Sequence, residues 1–233
     1  MYGASGAIGS AMADQLALNN PDTKVFAFSR RPHPYARGNI ENIALDDFRE
    51  AALAECIKKV SSKHSIRTAI ACSGMLSDAD TKPEKSLRAV TGESMERLFF
   101  VNTVIPSLFL KHAILNAPRN VPYTAAAISA RVGSISDNQL GGWYSYRASK
   151  AALNMIIKTA AIEATRLNKQ SAVIGLHPGT VNSALSKPFQ TSVPEGKLFS
   201  PEQSAKHLVQ VLASVTPAQT GGCFAWDGEE IQP

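Results

Sequence analysis

Short apolar runs rich in β-formers alternate with helix-patterned stretches along nearly the whole chain, and that order limits the fold more than any other feature. Candidate strands lie at 24–28, 39–45, 66–72, 123–130, 172–176 and 222–226. Helical periodicity covers about 10–18, 47–60, 93–115, a stretch opening near 146, and 201–213. The 47–60 segment carries its apolar stripe on Phe48, Ala52, Leu53, Cys56, Ile57 and Val60. Strands that alternate with helices predict a parallel sheet covered on both faces, because each parallel neighbour needs a crossover. The expectation is an α/β chain of three layers, α/β/α. With 233 residues and no repeat, low-complexity tract or linker, 1–233 reads as a single domain.

The chain opens Met1-Tyr2-Gly3-Ala4-Ser5-Gly6-Ala7-Ile8-Gly9, and a helix with Ile8, Met12 and Leu16 on one face follows. Glycines at a strand-to-helix turn let backbone amides approach a pyrophosphate, whose charge the helix N-terminus favours. A flexible tail is the other reading of the same residues. The strand that should feed this turn is missing, since Met1 stands two residues before Gly3. In a doubly wound sheet that strand is central. Three expectations remain open: an upstream start, a fragment with an open sheet centre, or a compensation within the fold.

Strand ends supply the next candidates, because ligands of such sheets bind beyond the carboxyl ends of the strands. The 24–28 strand runs into Ser29-Arg30-Arg31. An acid there would favour NAD through the ribose 2′-OH, whereas an arginine accommodates a 2′-phosphate and favours NADP. A solvated basic turn is the alternative. The later strands run into Asp46-Asp47, Ser73-Gly74 and His177-Pro178-Gly179-Thr180-Val181. His177 reads as a structural histidine beside its proline. The irregular stretch 183–199 is long enough to be a lid.

Tyr146 and Lys150 stand four apart at the mouth of a helix, in the run Tyr146-Arg147-Ala148-Ser149-Lys150. That spacing puts them on one face. A phenol with its ordinary pKa of about 10 is a poor acid or base near neutrality. A neighbouring ammonium favours the phenolate and should draw that pKa toward the working range. The pair suits a proton donor and acceptor for carbonyl–alcohol interconversion. Alone it is also the pattern of a surface tyrosine beside a solvated lysine. Asn102 sits inside the apolar 93–115 helix near Pro106, which should kink it. One expectation is that Asn102 satisfies a carbonyl freed by the kink.

The balance of 24 Lys+Arg against 19 Asp+Glu gives +5, with no basic run interleaved with aromatics, so no nucleic-acid partner is expected. Cys56, Cys72 and Cys223 are odd in number and far apart, as reduced thiols of a cytoplasmic protein are, and form neither a disulfide framework nor a metal site. No apolar run approaches a membrane span.

Together these residues resemble the short-chain dehydrogenase/reductase family, over the whole chain except the first strand. The parts are the glycine turn, Asn102, Tyr146 with Lys150, and Pro178-Gly179, in the family's order. The stretches PEKSLR, SARVGSISDNQLGGWYSYRASKAALN and HPGTVNSALSKPF resemble the C-factor and Sniffer-like carbonyl reductase branch. The resemblance implies a Rossmann-type doubly wound sheet and an NADP-preferring carbonyl reductase. It implies that Tyr146 transfers the proton, Lys150 holds the nicotinamide ribose and Asn102 holds a relay water. Cofactor contacts would come from Gly3, Ser5, Ile8 and Gly9, then Ser29, Arg30 and Asp46, then Ser73 and Gly74. Pro178, Gly179, Val181 and Ser183 would position the carboxamide beside Tyr146 and Lys150. It further implies a small carbonyl or alcohol substrate and a homo-oligomer.

The sequence departs from the family in two more places. Ala7 stands where the usual turn has its middle glycine, and Gly6 gives an epimerase-like spacing. Ala130 stands where the catalytic serine usually closes its strand. Ser129 precedes it, and Ser134, twelve residues before Tyr146, is the expected substitute. A weak or absent catalytic serine would fit a dinucleotide-sensing or C-factor-like signalling protein instead. The epimerase-like spacing would fit an enzyme with tightly held NAD.

Overall fold

The structure is a computed structural model that describes residues 1–45 and 49–233; Asp46, Asp47 and Phe48, singled out above, lie outside the described residues. Helix α1 (Ala7–Asn19) leads to strands β1 (Val25–Ser29) and β2 (Ile40–Ala44), then α2 (Glu50–Ser61) and β3 (Thr68–Ala71). Helix α3 (Gly92–Phe99) continues through a π-turn at Phe100–Val104 into α4 (Ile105–Leu115). Strand β4 (Tyr123–Ile128), helix α5 (Tyr144–Leu167) and strand β5 (Ser171–His177) follow. The chain ends through β6 (Thr180–Val181), β7 (Leu198–Phe199), α6 (Pro201–Ser214) and β8 (Cys223–Ala225).

Strand β1 pairs with β2, and β3, β4, β5 and β8 pair in that order, all in parallel. Tyr2 joins the two groups by bridging Phe28 and Ala71 at once. Its amide donates to Ile70 O at 2.8 Å, and its carbonyl accepts from Cys72 N at 2.8 Å. On the other side, Phe28 N donates to Met1 O at 2.7 Å, and the Met1 amino group donates to Phe26 O at 2.6 Å. The centre of the sheet is therefore closed by a two-residue stub at one end only.

Successive strand residues face opposite sides, and the core divides accordingly. Ala69, Ala71, Ala125, Ala127 and Val173 face α2, α4 and α5 through Leu53, Ile57, Phe109, Leu153 and Ala161. Ile70, Ala126, Ile174 and Phe224 face α1 and α6 through Met12, Ala13, Leu208 and Leu212. The alanines of β4 bring both helical layers close to the sheet. The α/β/α architecture expected from the alternation is the one observed.

Two expectations change. The kink near Pro106 takes the form of the π-turn, which directly precedes Pro106 in one continuous helical run and accommodates its missing N–H. Gly92–Leu115 is also, by length and composition alone, apolar enough to cross a membrane. Half of its most apolar window is buried inside the fold, with Leu98, Ile105, Phe109 and Leu110 in the core. It packs as a core helix. Asn102, Thr103, Ser107 and Lys111 interrupt its apolar run in sequence.

Candidate active site

The start of α5 is held from outside the helix. Gly141, Gly142 and Trp143 all have positive φ, at 65°, 64° and 53°. A tryptophan is strained there, by about 1–2 kcal/mol. Trp143 N donates to Glu84 O at 2.6 Å. The buried Glu84 carboxylate accepts from the amide of Ser145 at 3.3 Å and from its hydroxyl. An acid at a helix N-terminus is favoured by the exposed amides and the macrodipole. Arg147 closes the turn on Gly142 O at 3.0 Å and Gly141 O at 3.2 Å.

Within the first turn of the helix, Tyr146 is buried against Leu76, Leu98 and Ala130. Lys150 is 1% exposed, and its Nζ donates to Ile128 O at 2.9 Å and stands 5.9 Å from the Tyr146 ring centroid. The spacing places both side chains as expected, but the electrostatics differ. Burial pushes the Tyr146 phenol up to about 12. Burial also draws the Lys150 ammonium down to about 8, with Cys223 opposing weakly. Desolvation penalises both charged forms, and it is the largest cause of the shift at each residue. The phenol at rest is protonated.

Asn102 lies in the π-turn and is fully buried. Its Oδ1 accepts from Met75 N at 2.8 Å, while Nδ2 donates to Met75 O at 2.8 Å and to Ser149 Oγ at 3.1 Å. It binds the loop after β3 rather than a carbonyl of its own helix, which corrects the expectation for the kink. Ser149 Oγ in turn donates to Tyr146 O at 2.8 Å, and Thr103 Oγ1 donates to Ser149 O at 2.7 Å. A Cβ on Gly74 would stand 3.7 Å from Lys150 Nζ and 3.8 Å from Asn102 Oδ1. The loop after β3, the π-turn and α5 thus meet at one point. Gly133 makes that approach possible, since a Cβ there would lie 2.8 Å from Lys150 Cβ.

The serines occupy different places. Ser129 Oγ donates to Asn154 Oδ1 at 2.6 Å. Ser134 is buried, accepts from Asp137 N at 3.1 Å and shares a 3.3 Å hydrogen bond with Ser136 Oγ. Ala130 packs in the cluster that contains Tyr146.

At the first turn, Gly3 has φ 73°, and a Cβ on it would meet Ser73 N at 2.9 Å. A Cβ on Gly9 would lie 2.3 Å from Gly3 O, whereas one on Gly6 would meet nothing nearer than Gly3 O at 3.5 Å. Ser5 is exposed, and Ile8 packs half-buried against the α1–α6 side of the core. Ser73 Oγ is buried with no hydrogen-bond partner among the described residues. Ser29 ends β1 with Oγ donating to Arg31 O at 2.6 Å, and Arg30 is exposed beside it.

At the other end of the site, Pro178 O accepts from Ser204 Oγ at 2.8 Å. Gly179 has φ 74°, and a Cβ there would collide with the Phe199 ring at 2.7 Å. The buried Val181 accepts at its carbonyl from Ser186 Oγ, and Ser183 N donates to the same hydroxyl at 3.4 Å. Strands β6 and β7 pair across the base of the expected lid. Its Phe189 ring stands 4.9 Å from Trp143, which is edge-on to Tyr146 at 6.2 Å. Leu185, Phe189, Trp143 and Met75 thus wall the phenol with apolar surface.

Glu84, Ser149, Trp143 and Phe189 were not singled out from the sequence. Ser149 stands inside the Tyr146–Lys150 run and could have been found there. Glu84 lies in a stretch with no periodicity to mark it.

No family model matches the chain. It is 39% identical over 106 residues to a 1-hydroxy-2-glutathionyl-2-methyl-3-butene dehydrogenase of Rhodococcus sp. (strain AD45), covering 45% of this chain and 44% of that protein. The match therefore spans less than half of that relative. To C-signal of Myxococcus xanthus it is 30% identical over 138 residues, covering 59% of this chain and 77% of C-signal. The fold superposes on the carbonyl reductase Sniffer of D. melanogaster with a TM-score of 0.81 at 21% identity, covering 100% of this chain and 97% of that one. An NADPH-bound carbonyl reductase from chicken fatty liver gives a TM-score of 0.81 at 22% identity, covering 100% and 92%. The chain belongs to the short-chain dehydrogenase/reductase family, in the branch that includes C-signal.

Proposed function

We propose that the chain is an NADP-preferring oxidoreductase that interconverts a carbonyl and a secondary alcohol. The observation that carries this reading is the convergence of Tyr146, Lys150, Asn102 and Gly74 in one buried cluster walled by apolar side chains. Two features fit a dinucleotide. Gly3 and Gly9 keep a cradle free of Cβ atoms, and the orphaned Ser73 Oγ lies beside it. When bound, NADP(H) supplies or accepts the hydride; the protein orients it and handles the proton.

In that role Gly3, Ser5, Ile8 and Gly9 flank the pyrophosphate, and Ser29 and Arg30 take the adenosine end. Ser73 and Gly74 line the middle. Pro178, Gly179, Val181 and Ser183 face the nicotinamide end. Tyr146, protonated at rest, gives its proton to the substrate oxygen during reduction. Lys150 reaches the ribose, and its charge near Tyr146 stabilises the phenolate left behind. Asn102 fixes the loop and π-turn around the proton path. The apolar wall of Leu185, Phe189 and Trp143 favours carbonyls with an apolar substituent. Turnover of a panel of aldehydes and ketones with NADPH tests the activity.

Arg30→Ala should weaken NADPH binding about tenfold or more while changing NADH binding little, because only NADPH carries the 2′-phosphate that a charged guanidinium pairs with. Titrating both cofactors by fluorescence reads this directly; equal losses would remove Arg30 from the 2′-phosphate site.

Ser134 is the proposed donor to the substrate oxygen, which requires it to leave Ser136. Its replacement by alanine should lower kcat about tenfold to a hundredfold, as loss of one oxyanion donor does. An unchanged kcat would take Ser134 out of the site. A second reading, a dinucleotide-sensing or signalling protein with weak catalysis, is favoured by Ala130 beside Tyr146 and by the C-signal relative. Turnover well below that of a carbonyl reductase with tight NADPH binding would select it.

A cytoplasmic location is supported by three free cysteines. Self-association is supported by exposed apolar side chains on the π-turn and α5, namely Val104, Met155, Ile156 and Ile162.

A further inference from the structure

Helix α5 begins without a cap of its own. Trp143, at its N-cap, makes no side-chain capping bond, and the first turn carries no acidic residue. The first amides of a helix have no partner within it, and helix ends that lack one fray. Tyr146 stands in that first turn. The body of α5 needs no such help, since it runs for 24 residues with Leu153, Ile157, Ala161 and Ala164 buried along it. The turn that carries the proposed proton donor is the one that needs an outside partner.

Glu84 supplies that partner from 61 residues away. It is 2% exposed and pairs with no cation among the described residues. A carboxylate buried in this way is costly unless hydrogen bonds satisfy it. Both of its oxygens are spent on one residue, the fully buried Ser145: Oε2 on the amide and Oε1 on the hydroxyl. That grip keeps the carbonyl of Glu84 on Trp143 N, and a Cβ on Gly142 would stand only 3.4 Å from the same oxygen. The segment that carries Glu84 is fastened at its other end as well. Asn102 holds both the amide and the carbonyl of Met75. Between the two ends, Asp78 accepts from Thr81 N at 2.8 Å and pairs with Arg97 at 2.5 Å. Leu76 packs in the cluster of Tyr146. Residues 75–84 thus form a strap from the π-turn to the start of α5, passing beside the phenol.

We propose that Glu84 is a positioning residue for the reaction: it caps α5 from the strap and so fixes the first turn, which sets where the Tyr146 phenol meets the substrate and where Trp143 meets the lid. The proposal rests on the reading of Tyr146 as proton donor. Glu84 touches neither cofactor nor substrate and acts through Ser145 alone. Two features separate this role from plain helix stability. The anchored turn holds Trp143 in its left-handed conformation, with its ring 6.2 Å from that of Tyr146 and 4.9 Å from that of Phe189. Lys150, by contrast, lies a turn further in and is fixed independently by Ile128 O. Loss of the clamp should therefore move the phenol and the indole while leaving the ammonium in place.

The test compares Glu84→Ala, Glu84→Gln and Ser145→Ala in carbonyl reduction with NADPH. Glu84→Ala should lower kcat about tenfold to a hundredfold, the scale on which a small misplacement of a reacting group is felt. KM for NADPH should hold. Glu84→Gln should recover most of the loss, since its amide oxygen can accept from Ser145 N while its NH2 turns to the hydroxyl. In the Glu84→Ala background, Ser145→Ala should cost nothing more, because both changes break one contact. A Trp226→Phe background leaves Trp143 as the one tryptophan. Its emission should shift to the red in Glu84→Ala and return in Glu84→Gln. Should Glu84→Ala fail to fold, Ser145→Ala keeps the acid and its amide contact, and must lower kcat and shift the emission in the same direction. Three outcomes would overturn the proposal: parental kcat and emission without the clamp, no recovery in Glu84→Gln, or an equal loss in Asp78→Asn, which loosens the strap without touching Ser145. A parent that reduces no carbonyl would instead end the proton-donor reading, and the Trp143 emission would then decide by itself whether Glu84 holds the turn.

Discussion

Tyr146→Phe should lower hydride transfer about 10²- to 10⁴-fold, the range a positioned proton donor contributes. The substitution removes one oxygen and leaves the ring against Leu76, Leu98, Ala130 and Trp143. Cofactor affinity and melting temperature should therefore hold. Single-turnover reduction of a carbonyl with NADPH measures the step, and fluorescence titration measures the binding. A variant that keeps the parent rate would end the proton-transfer role. A variant that loses NADPH together with turnover would make Tyr146 a binding residue. Since burial alone puts the phenol near 12, the proton it gives in reduction is present across neutral pH.

Gly9→Ala should cost at least a hundredfold in cofactor affinity and lower the melting temperature. Its new Cβ would lie 2.3 Å from Gly3 O and 3.0 Å from Ala4 Cα, both backbone atoms that cannot swing aside. Overpacking of this kind costs about 1–3 kcal/mol. The turn can relieve it only by moving the amides that would face the pyrophosphate. Gly6→Ala is the control, because its nearest neighbour would be 3.5 Å away and its φ of −74° suits any residue. Titration of both variants with NADPH should separate them clearly. Similar losses at both positions would mean that the turn is needed for folding rather than for the ligand.

The contrast between Gly6 and Gly9 shows where the sequence was legible. Glycine spacing pointed to the turn, but which glycine was sterically compelled depended on how close Gly3 O comes. Strand and helix order were readable because apolar periodicity reports burial, and burial decides these elements. The Tyr146–Lys150 pairing was readable because a helix converts a spacing of four into one face. The sign of the tyrosine's shift was not, since desolvation depends on the whole surrounding core. The role of Asn102 was hidden for a similar reason: its partner, Met75, is 27 residues away. How the sheet centre is held was not readable, because two residues that look like a tail supply backbone hydrogen bonds to both neighbours. Family resemblance supplied the cofactor contacts, and Ser134 among the catalytic residues rests on it most heavily.

The π-turn at Phe100–Val104 acts as a phase shifter. Each residue of an α-helix advances the direction of its side chain by about 100°. A π-turn absorbs one extra residue within an otherwise α-helical run. Everything on the Asn102 side is thereby rotated relative to the core face of α4. Removing one residue between Thr91 and Ile105 would restore an unbroken α-helix and swing Asn102 away from Met75 and Ser149. Conservative changes of composition in this segment leave that angle alone. Its residue count, like the tooth count of a gear, sets which side chains meet.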